Sequence, residues 1–282
     1  MAIAAGTVNA QDQLAIVQDD RISESSGMAI SRRHDDALWI HNDSGDKPRL
    51  FLVGFDGNTR GVVNLQKARA IDWEDMCSFE LDGEQWLLIG DVGDNNAERT
   101  KKRSPYRLYL IREPLMSDEQ SKISRRWDVE IDFEYEDGPH NCESVAVDAR
   151  QNEILLLTKE SPFSTGVYRL PLNLKNTKQS ETAQRIARLP APYPTAMDIS
   201  PDGRVLVAVT MSNGWICHRL ETQSWKQALS SNLHRFTLPP RKQGETVCFS
   251  RDGRFLFLNS EHKRQPLWRL QVGTVRPQNG NR

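Results

Sequence analysis

Short apolar runs separated by turns recur along this sequence in units of about fifty residues. Each unit opens with an oxygen-bearing side chain and continues as a mostly apolar segment. The five openings are Ser26-Gly27-Met28-Ala29-Ile30, Glu74-Asp75-Met76-Cys77-Ser78, Glu143-Ser144-Val145-Ala146-Val147, Thr195-Ala196-Met197-Asp198-Ile199 and Glu245-Thr246-Val247-Cys248-Phe249. A second apolar run follows each opening, and Asp-Gly pairs separate the two runs in three of the units, which predicts β-hairpins.

Two further runs complete the repeat. The third run carries an Arg-Leu pair in every unit: Arg49-Leu50, Arg107-Leu108, Arg169-Leu170, Arg219-Leu220 and Arg269-Leu270. A fourth, more polar run precedes the next opening in the first four units. The fifth unit has little chain left for a fourth strand, whereas the apolar segment 14–17 near the N-terminus belongs to no unit. We therefore expect the N-terminal segment to supply the missing strand.

Four strands in each of five repeats, with no convincing amphipathic helix, predict an all-β fold. The specific expectation is a five-bladed β-propeller with four-stranded blades, in which the N-terminal strand closes the last blade. Because no Pro-rich or Gly/Ser-rich linker divides the chain, residues 1–282 are expected to form a single domain. The alternative is a β-sandwich in which the likeness between the units is accidental.

Composition narrows the range of partners. Hydrophobic residues make up 38% of the chain and charged residues 27%, and the formal net charge is −1. Near-neutral charge favours neither nucleic acid nor an anionic membrane as a partner. Nothing approaches the roughly 18 consecutive apolar residues of a membrane span. We expect a monomer that binds a small molecule.

The chain ends and the cysteines add two weaker expectations. Residues 1–11 resemble the end of a secretory signal, with small residues at Val8 and Ala10, or else a disordered chain end. The first interpretation predicts a periplasmic or secreted protein, the second a cytoplasmic one. Four cysteines lack any CxxC spacing or nearby histidine cluster, so we expect buried thiols: Cys77, Cys142, Cys217 and Cys248.

The unit openings predict a metal site. In a propeller the first strand of each blade lines the central channel, so the ring would comprise Ser26, Glu74, Glu143, Thr195 and Glu245. Three carboxylates in one narrow channel repel one another, and a divalent cation would relieve that repulsion. Oxygen ligands without histidine or thiolate favour Ca²⁺, with Mg²⁺ or Mn²⁺ as alternatives. Asp72 and Asp75 are additional acceptors, and the competing view is that arginines or water neutralise each carboxylate singly.

Polar loops between the second and third strands should rise on the same face as this ring. They supply the candidate catalytic residues, which would position substrate and handle protons: Asp43, Asp94, Lys159, Glu160 and His262. His41 and His140 are further acid or base candidates, and Cys142 is a candidate reactive thiol without an evident base.

The second of these loops is unusually acidic and is followed by a basic run. Asp91, Asp94, Asn95 and Asn96 precede residues 98–103, which contain two lysines and two arginines. This order suits a second cation beside a phosphate-bearing ligand, or simply an exposed hairpin tip.

Two resemblances follow from these residues. The strings Ser25-Ser26-Gly27, His41-Asn42-Asp43-Ser44-Gly45, Asp72-Trp73-Glu74-Asp75 and Gly90-Asp91-Val92-Gly93-Asp94-Asn95 resemble a group of bacterial propeller proteins of largely unknown function. The order Ser, Glu, Glu, Thr, Glu at the openings is similar to the calcium-activated nucleotidases, or apyrases, with Thr195 where that family has serine. That likeness implies five blades around a central calcium, but the loops that grip the nucleotide have no counterpart here.

Two functions are compatible with this pattern. The first is a calcium-dependent hydrolase of phosphate esters or anhydrides that acts at the mouth of the channel. The second is a non-catalytic ligand-binding or protein-binding propeller, in which the cation only stabilises the hub. Fold alone cannot choose between them.

Overall fold

The computed structural model describes residues 9–102, 104–117, 121–161 and 165–273. The strands are β1 Asn9–Ile16, β2 Ser25–Ile30, β3 Ala37–Asn42, β4 Arg49–Gly54, β5 Thr59–Gln66, β6 Trp73–Leu81, β7 Glu84–Asp91, β8 Tyr106–Arg112, β9 Lys122–Arg126, β10 Val129–Tyr135, β11 Cys142–Asp148, β12 Glu153–Thr158, β13 Gly166–Pro171, β14 Lys178–Arg188, β15 Ala196–Ile199, β16 Val205–Val209, β17 Asn213–His218, β18 Leu233–Thr237, β19 Cys248–Phe249, β20 Phe255–Leu258 and β21 Pro266–Gln271. The helices are a 3₁₀ turn at Asn95–Ala97, α1 Glu98–Lys102 and α2 Trp225–Ser231.

These strands form sheets in a propeller-like arrangement. Their hydrogen-bonded orders are β2-β3-β4-β5-β9, β6-β7-β8-β10-β14-β13-β12-β11, β15-β16-β17-β18 and β19-β20-β21-β1. The five inner strands β2, β6, β11, β15 and β19 contact one another in that order, and β19 contacts β2. The inner strands therefore close into a ring, which we call the hub.

The all-β prediction is confirmed, but the sheets are less separate than the repeat implied. Parallel pairing of β10 with β14 joins two four-stranded units into one eight-stranded sheet. Strand β9, from the longer second unit, adds in parallel to β5 as a fifth strand. The sequence repeat marks strands but not pairings between neighbouring units, so it gave no sign of either feature.

The N-terminal strand pairs antiparallel with β21, as expected from the missing strand of the fifth unit. This pairing covers the edge of the last sheet and joins the two ends of the chain, which protects that edge from other strands. Gln11 lies within β1 rather than in a disordered end. The rest of the predicted signal remnant, residues 1–8, lies outside the described residues.

Alternation along the strands places side chains in two different cores. In β11, Val145 and Val147 pack into one hydrophobic cluster and Ala146 packs into the next. In β12, Leu156 packs into the first of these clusters and Leu155 into the second. Both faces of these strands are therefore buried, which explains why the runs are continuously apolar instead of alternating with polar residues.

Helix α2 is the regular element that the strand repeat did not predict. Ser224 caps it, and the Gln227 side-chain oxygen accepts a hydrogen bond from the Ser224 backbone N–H, which completes a capping box. Trp225 is buried, and its indole N–H donates to Asp148 at 2.9 Å. The Ser-x-x-Gln spacing was the available sequence signal.

Among the described helices, none is long and apolar enough to cross a membrane.

All four cysteines are buried free thiols, as predicted. Burial raises the pKa of Cys142 to about 12, so it is a thiol and not a nucleophilic thiolate at neutral pH. The suggestion that Cys142 is reactive is therefore wrong.

Candidate metal centre

Two buried aspartates lie within the hub and join its strands. Asp75 Oδ2 accepts hydrogen bonds from the backbone N–H groups of Val145 at 3.0 Å and Met197 at 3.2 Å. Asp198 Oδ2 accepts from Phe249 N at 2.7 Å. Asp75 thus links β6 to β11 and β15, and its role is to hold strands together. Both of its oxygens already accept backbone hydrogen bonds.

Burial of these two carboxyls disfavours their ionised forms. It raises the pKa of Asp75 well above its usual value despite three backbone N–H donors. It raises the pKa of Asp198 to about 7, although the backbone hydrogen bonds from Phe249 and Ile199 act in the opposite direction. The hub therefore holds two acidic groups whose pKa values lie above those of ordinary surface carboxylates.

At one end of the hub, three carboxylates come together in what we call the acidic triad: Asp43, Asp72 and Glu74. One oxygen from each lies within 4.8 Å of the others. Asp43 follows β3, Asp72 precedes β6 and Glu74 lies within β6. The triad therefore spans two neighbouring sheets, on the face that carries the loops after β3 and β7.

Glu74 is the most unusual member of the triad. Its side chain is buried, and Oε1 has no hydrogen-bond partner among the described residues. Burial is the main cause that raises the pKa of Glu74 well above its usual value, and the charges of Glu143 and Asp43 add to the effect. An unpartnered carboxylate oxygen at this depth is costly unless a proton or a cation satisfies it.

The other two members share this environment. Burial raises the pKa of Asp43 to about 7, with repulsion from Asp72 as a further cause. The pKa of Asp72 is also raised, mainly by burial, against the attraction of Arg99. Gly93 lies directly against the carboxylates of Glu74 and Asp72, where a Cβ atom would collide with both. Glycine at this position keeps the space beside the triad open.

Four of the five predicted ring residues already have polar partners, whereas Glu74 Oε1 has none among the described residues. Ser26 Oγ donates to the backbone oxygen of Glu74 at 2.5 Å, and Thr195 Oγ1 donates to that of Gly244 at 2.9 Å. These two hydroxyls therefore tie neighbouring inner segments together. Of the predicted ligands, only Glu74 belongs to the triad; Asp43 joins it from the predicted catalytic set.

Glu143 and Glu245 have polar neighbours of their own. Glu143 accepts from Lys159 Nζ at 2.9 Å and from Asn141 Nδ2 at 3.0 Å. Although burial acts against its charge, the pKa of Lys159 is raised by Glu143, whereas burial raises the pKa of Glu143 against the attraction of Lys159. Glu245 lies beside Glu261, whose pKa is raised to about 9 by burial and by its hydrogen bond to Glu245. These carboxylates are thus compensated by a lysine or by a proton.

The acidic side chains of the second loop form a buried network, whereas Asn95, Lys101 and Lys102 in the same segment are exposed. Arg99 is buried and forms an ion pair with Asp91. Asp94 accepts from the backbone N–H of Arg99 at 2.6 Å and from the Tyr106 hydroxyl at 2.9 Å. These bonds leave the proposed second cation without support, and they give Asp94 a structural role in shaping the loop that carries Gly93. The Asn96 side chain and Arg103 lie outside the described residues.

The remaining candidate catalytic groups are not members of the triad. Glu160 accepts from His140 Nδ1 at 2.6 Å, while the other ring nitrogen of His140 faces Asp137 at 2.9 Å. His262 is exposed, and its backbone N–H donates to Ser23. His41 is buried against Trp73, and burial lowers its pKa to about 4, so it stays neutral and is not an acid or base at neutral pH.

Comparisons with known proteins add little to this geometry. No model of a known protein family matches the sequence, and no curated protein matches it. Among solved structures, the chain is similar to "Structure of U3-55K" and "Crystal structure of RRP9 WD40 repeats", each with a TM-score of 0.43 and 12% identity. The likeness covers 88% of this chain and 68% and 67% of those chains, respectively.

Proposed function

We propose that this protein is a cation-binding β-propeller whose ion, held by the acidic triad, stabilises the mouth of the hub for binding a ligand or a partner protein. In this proposal the sheets are five blades of four strands, with β9 as an addition to the first and with β1 completing the last. The closed order of the inner strands supports five blades. The observation that carries the ion proposal is the buried, unpartnered Oε1 of Glu74 beside Asp43 and Asp72.

The chemistry of the triad suits a hard cation. Three carboxylates offer up to six oxygens, and Ca²⁺ takes six to eight oxygen ligands in flexible geometry. Mg²⁺ demands a tighter octahedron and retains more water, so Ca²⁺ is the better match and Mg²⁺ or Mn²⁺ the weaker competitors. A bound cation would also relieve the repulsion that disfavours ionised Glu74.

The test compares Glu74→Gln with Glu80→Gln by calorimetric titration of Ca²⁺ and by thermal unfolding. Glu80 lies on the same strand but is exposed, so it is a matched control. Saturating Ca²⁺ should stabilise wild type and Glu80→Gln by about 3 kcal/mol at one hundred times the dissociation constant. Glu74→Gln should weaken Ca²⁺ binding by about 10-fold or more. Removing even a group that only supports a metal ligand costs about 10-fold to 100-fold in metal affinity.

The stability measured in chelator separates lost binding from misfolding. In chelator, Glu74→Gln should be at least as stable as wild type, because the neutral amide avoids an ionised carboxylate in a buried site. Equal Ca²⁺ affinity in wild type and Glu74→Gln, or no stabilisation of wild type by any of the three cations, would disprove the proposal.

Metal-dependent hydrolysis of phosphate esters or anhydrides is a second candidate, favoured by one observation. Asp43 is partly exposed at the triad and has a pKa of about 7, which suits a general base near neutral pH. When bound, a cation would polarise the phosphoryl group. In this candidate Asp72 and Glu74 would hold the ion, and Asp43 would stay unligated and accept the proton of the attacking water.

Assays of phosphomonoesters, phosphodiesters, phosphoanhydrides and lactones with Ca²⁺ or chelator test this candidate. Turnover should disappear in chelator and fall about 100-fold or more in Asp43→Asn, the contribution of a positioned general base. Absence of turnover in a protein that binds Ca²⁺ would exclude hydrolysis of these substrates and leave the binding function.

A further inference from the structure

A cationic groove lies beside the hub, between the segment after β18 and the loop that joins β20 to β21. We call it the arginine groove; its volume is about 460 Å³, and Arg241, Lys242, Arg264, Trp268, Pro240 and Pro266 contribute to its walls. None of the described residues that line it is acidic. The lining therefore combines net positive charge with apolar surface, which sets it apart from the acidic triad.

Arg241 is the central feature of this groove. Its Nη2 donates to the backbone oxygen of Thr210 at 3.0 Å, but the buried Nε and Nη1 have no partner among the described residues. The guanidinium lies against Gly244, where a Cβ atom would overlap it. Burial lowers the pKa of Arg241 to about 10, and the charge of Glu245 offsets this only in part. The structure thus places a cation in a poorly solvated position without an ion-pair partner.

The opposite wall supplies apolar contact. Trp268 lines the groove with Pro240 and Pro266, and its indole N–H is a second buried donor without a described partner. Arg264 is held by Asp20 at 2.9 Å, whereas Lys242 is exposed at the rim. Arg241 and Trp268 both line the groove, and together they have three buried donor atoms without a described partner.

We propose that the arginine groove binds a small organic anion, namely a carboxylate or phosphate group carried on a compact apolar body. A guanidinium pairs with either group through two parallel hydrogen bonds, and such charge-assisted bonds are strong where water is excluded. A single described hydrogen bond holds Arg241, so a modest turn of its side chain presents Nε and Nη1 to the ligand. The volume fits the ordinary range of small-molecule sites.

The groove and the acidic triad are separate sites. None of the residues that line the groove belongs to the acidic triad. The organic anion should therefore bind in chelator as well as in Ca²⁺. Running the experiment in chelator makes its result independent of whether the triad binds a cation.

The test titrates benzoate, phenyl phosphate, inorganic phosphate and benzyl alcohol into protein with labelled tryptophan, followed by NMR of the Trp268 indole and by calorimetry. Benzoate or phenyl phosphate should bind at least 10-fold more tightly than benzyl alcohol or inorganic phosphate, and the stronger of the two identifies the anionic group. Arg241→Met should weaken that binding at least 10-fold, and Arg241→Lys should weaken it less. Arg235→Met is the matched control, because Arg235 lies over Trp215 and outside the groove.

Three results would overturn the inference: equal affinity for benzyl alcohol and both anions, equal affinity in wild type and Arg241→Met, or no shift of the Trp268 indole on binding. If Arg241→Met fails to fold, Trp268→Leu decides the question. That variant should lose the preference for phenyl phosphate or benzoate over inorganic phosphate, and an unchanged preference would contradict the proposal.

Discussion

Replacing Asp75 with alanine is expected to lower the free energy of unfolding by roughly 3–5 kcal/mol, the largest loss predicted for a single substitution in this protein. The Asp75 carboxyl accepts from Val145, Met197 and Met76 backbone N–H groups in the centre of the hub. Alanine would leave these buried donors unsatisfied, at about 1–3 kcal/mol each. Denaturant unfolding followed by tryptophan fluorescence measures the loss.

The same experiment has two informative comparisons. Asp75→Asn should cost less than Asp75→Ala, because its amide oxygen can accept the bonds from Val145 and Met197. Glu80→Ala, an exposed carboxylate of the same strand, should change stability by no more than about 0.5 kcal/mol. A loss in Asp75→Ala no larger than in Glu80→Ala would show that Asp75 does not hold the hub strands together.

The second large effect is a pH dependence that originates at Asp198. Its pKa is about 7 in the folded protein and near the ordinary value of 3.8 when unfolded. Below pH 3.8 the Asp198 carboxyl is protonated in both the folded and the unfolded state, so its contribution to the free energy of unfolding is fully present. As the pH rises through about 7, the unfolded state ionises first and stability is lost. The shift corresponds to at most about 4 kcal/mol, since one pKa unit is 1.36 kcal/mol.

Unfolding free energies measured between pH 4 and 8 for wild type and Asp198→Asn isolate this contribution. Wild type should lose stability relative to the variant as the pH rises, because the variant has no carboxyl to ionise. Glu221→Gln, an exposed partner of Arg204, should parallel wild type throughout. A constant difference between wild type and Asp198→Asn across this range would show that Asp198 has an ordinary pKa.

Much of the architecture was predictable because its causes are local and repeated. Every unit opening falls within or next to an inner strand, and the apolar runs become strands buried on both faces. The short fifth unit and the spare segment 14–17 together predicted the pairing of β1 with β21. The parallel pairing of β10 with β14 was not predictable, because it depends on how two neighbouring units approach each other.

The candidate site shows the same division. The sequence by itself predicted that Glu74, Glu143 and Glu245 face one hub, since equivalent positions in a closed repeat converge. Only the tertiary structure decided which oxygens remain without partners. Lys159 compensates Glu143, and hydroxyl groups at Ser26 and Thr195 are used between inner segments. Asp43 and Asp72 come from loops outside the repeat register, so their approach to Glu74 depends on the packing of two sheets and on the space left by Gly93.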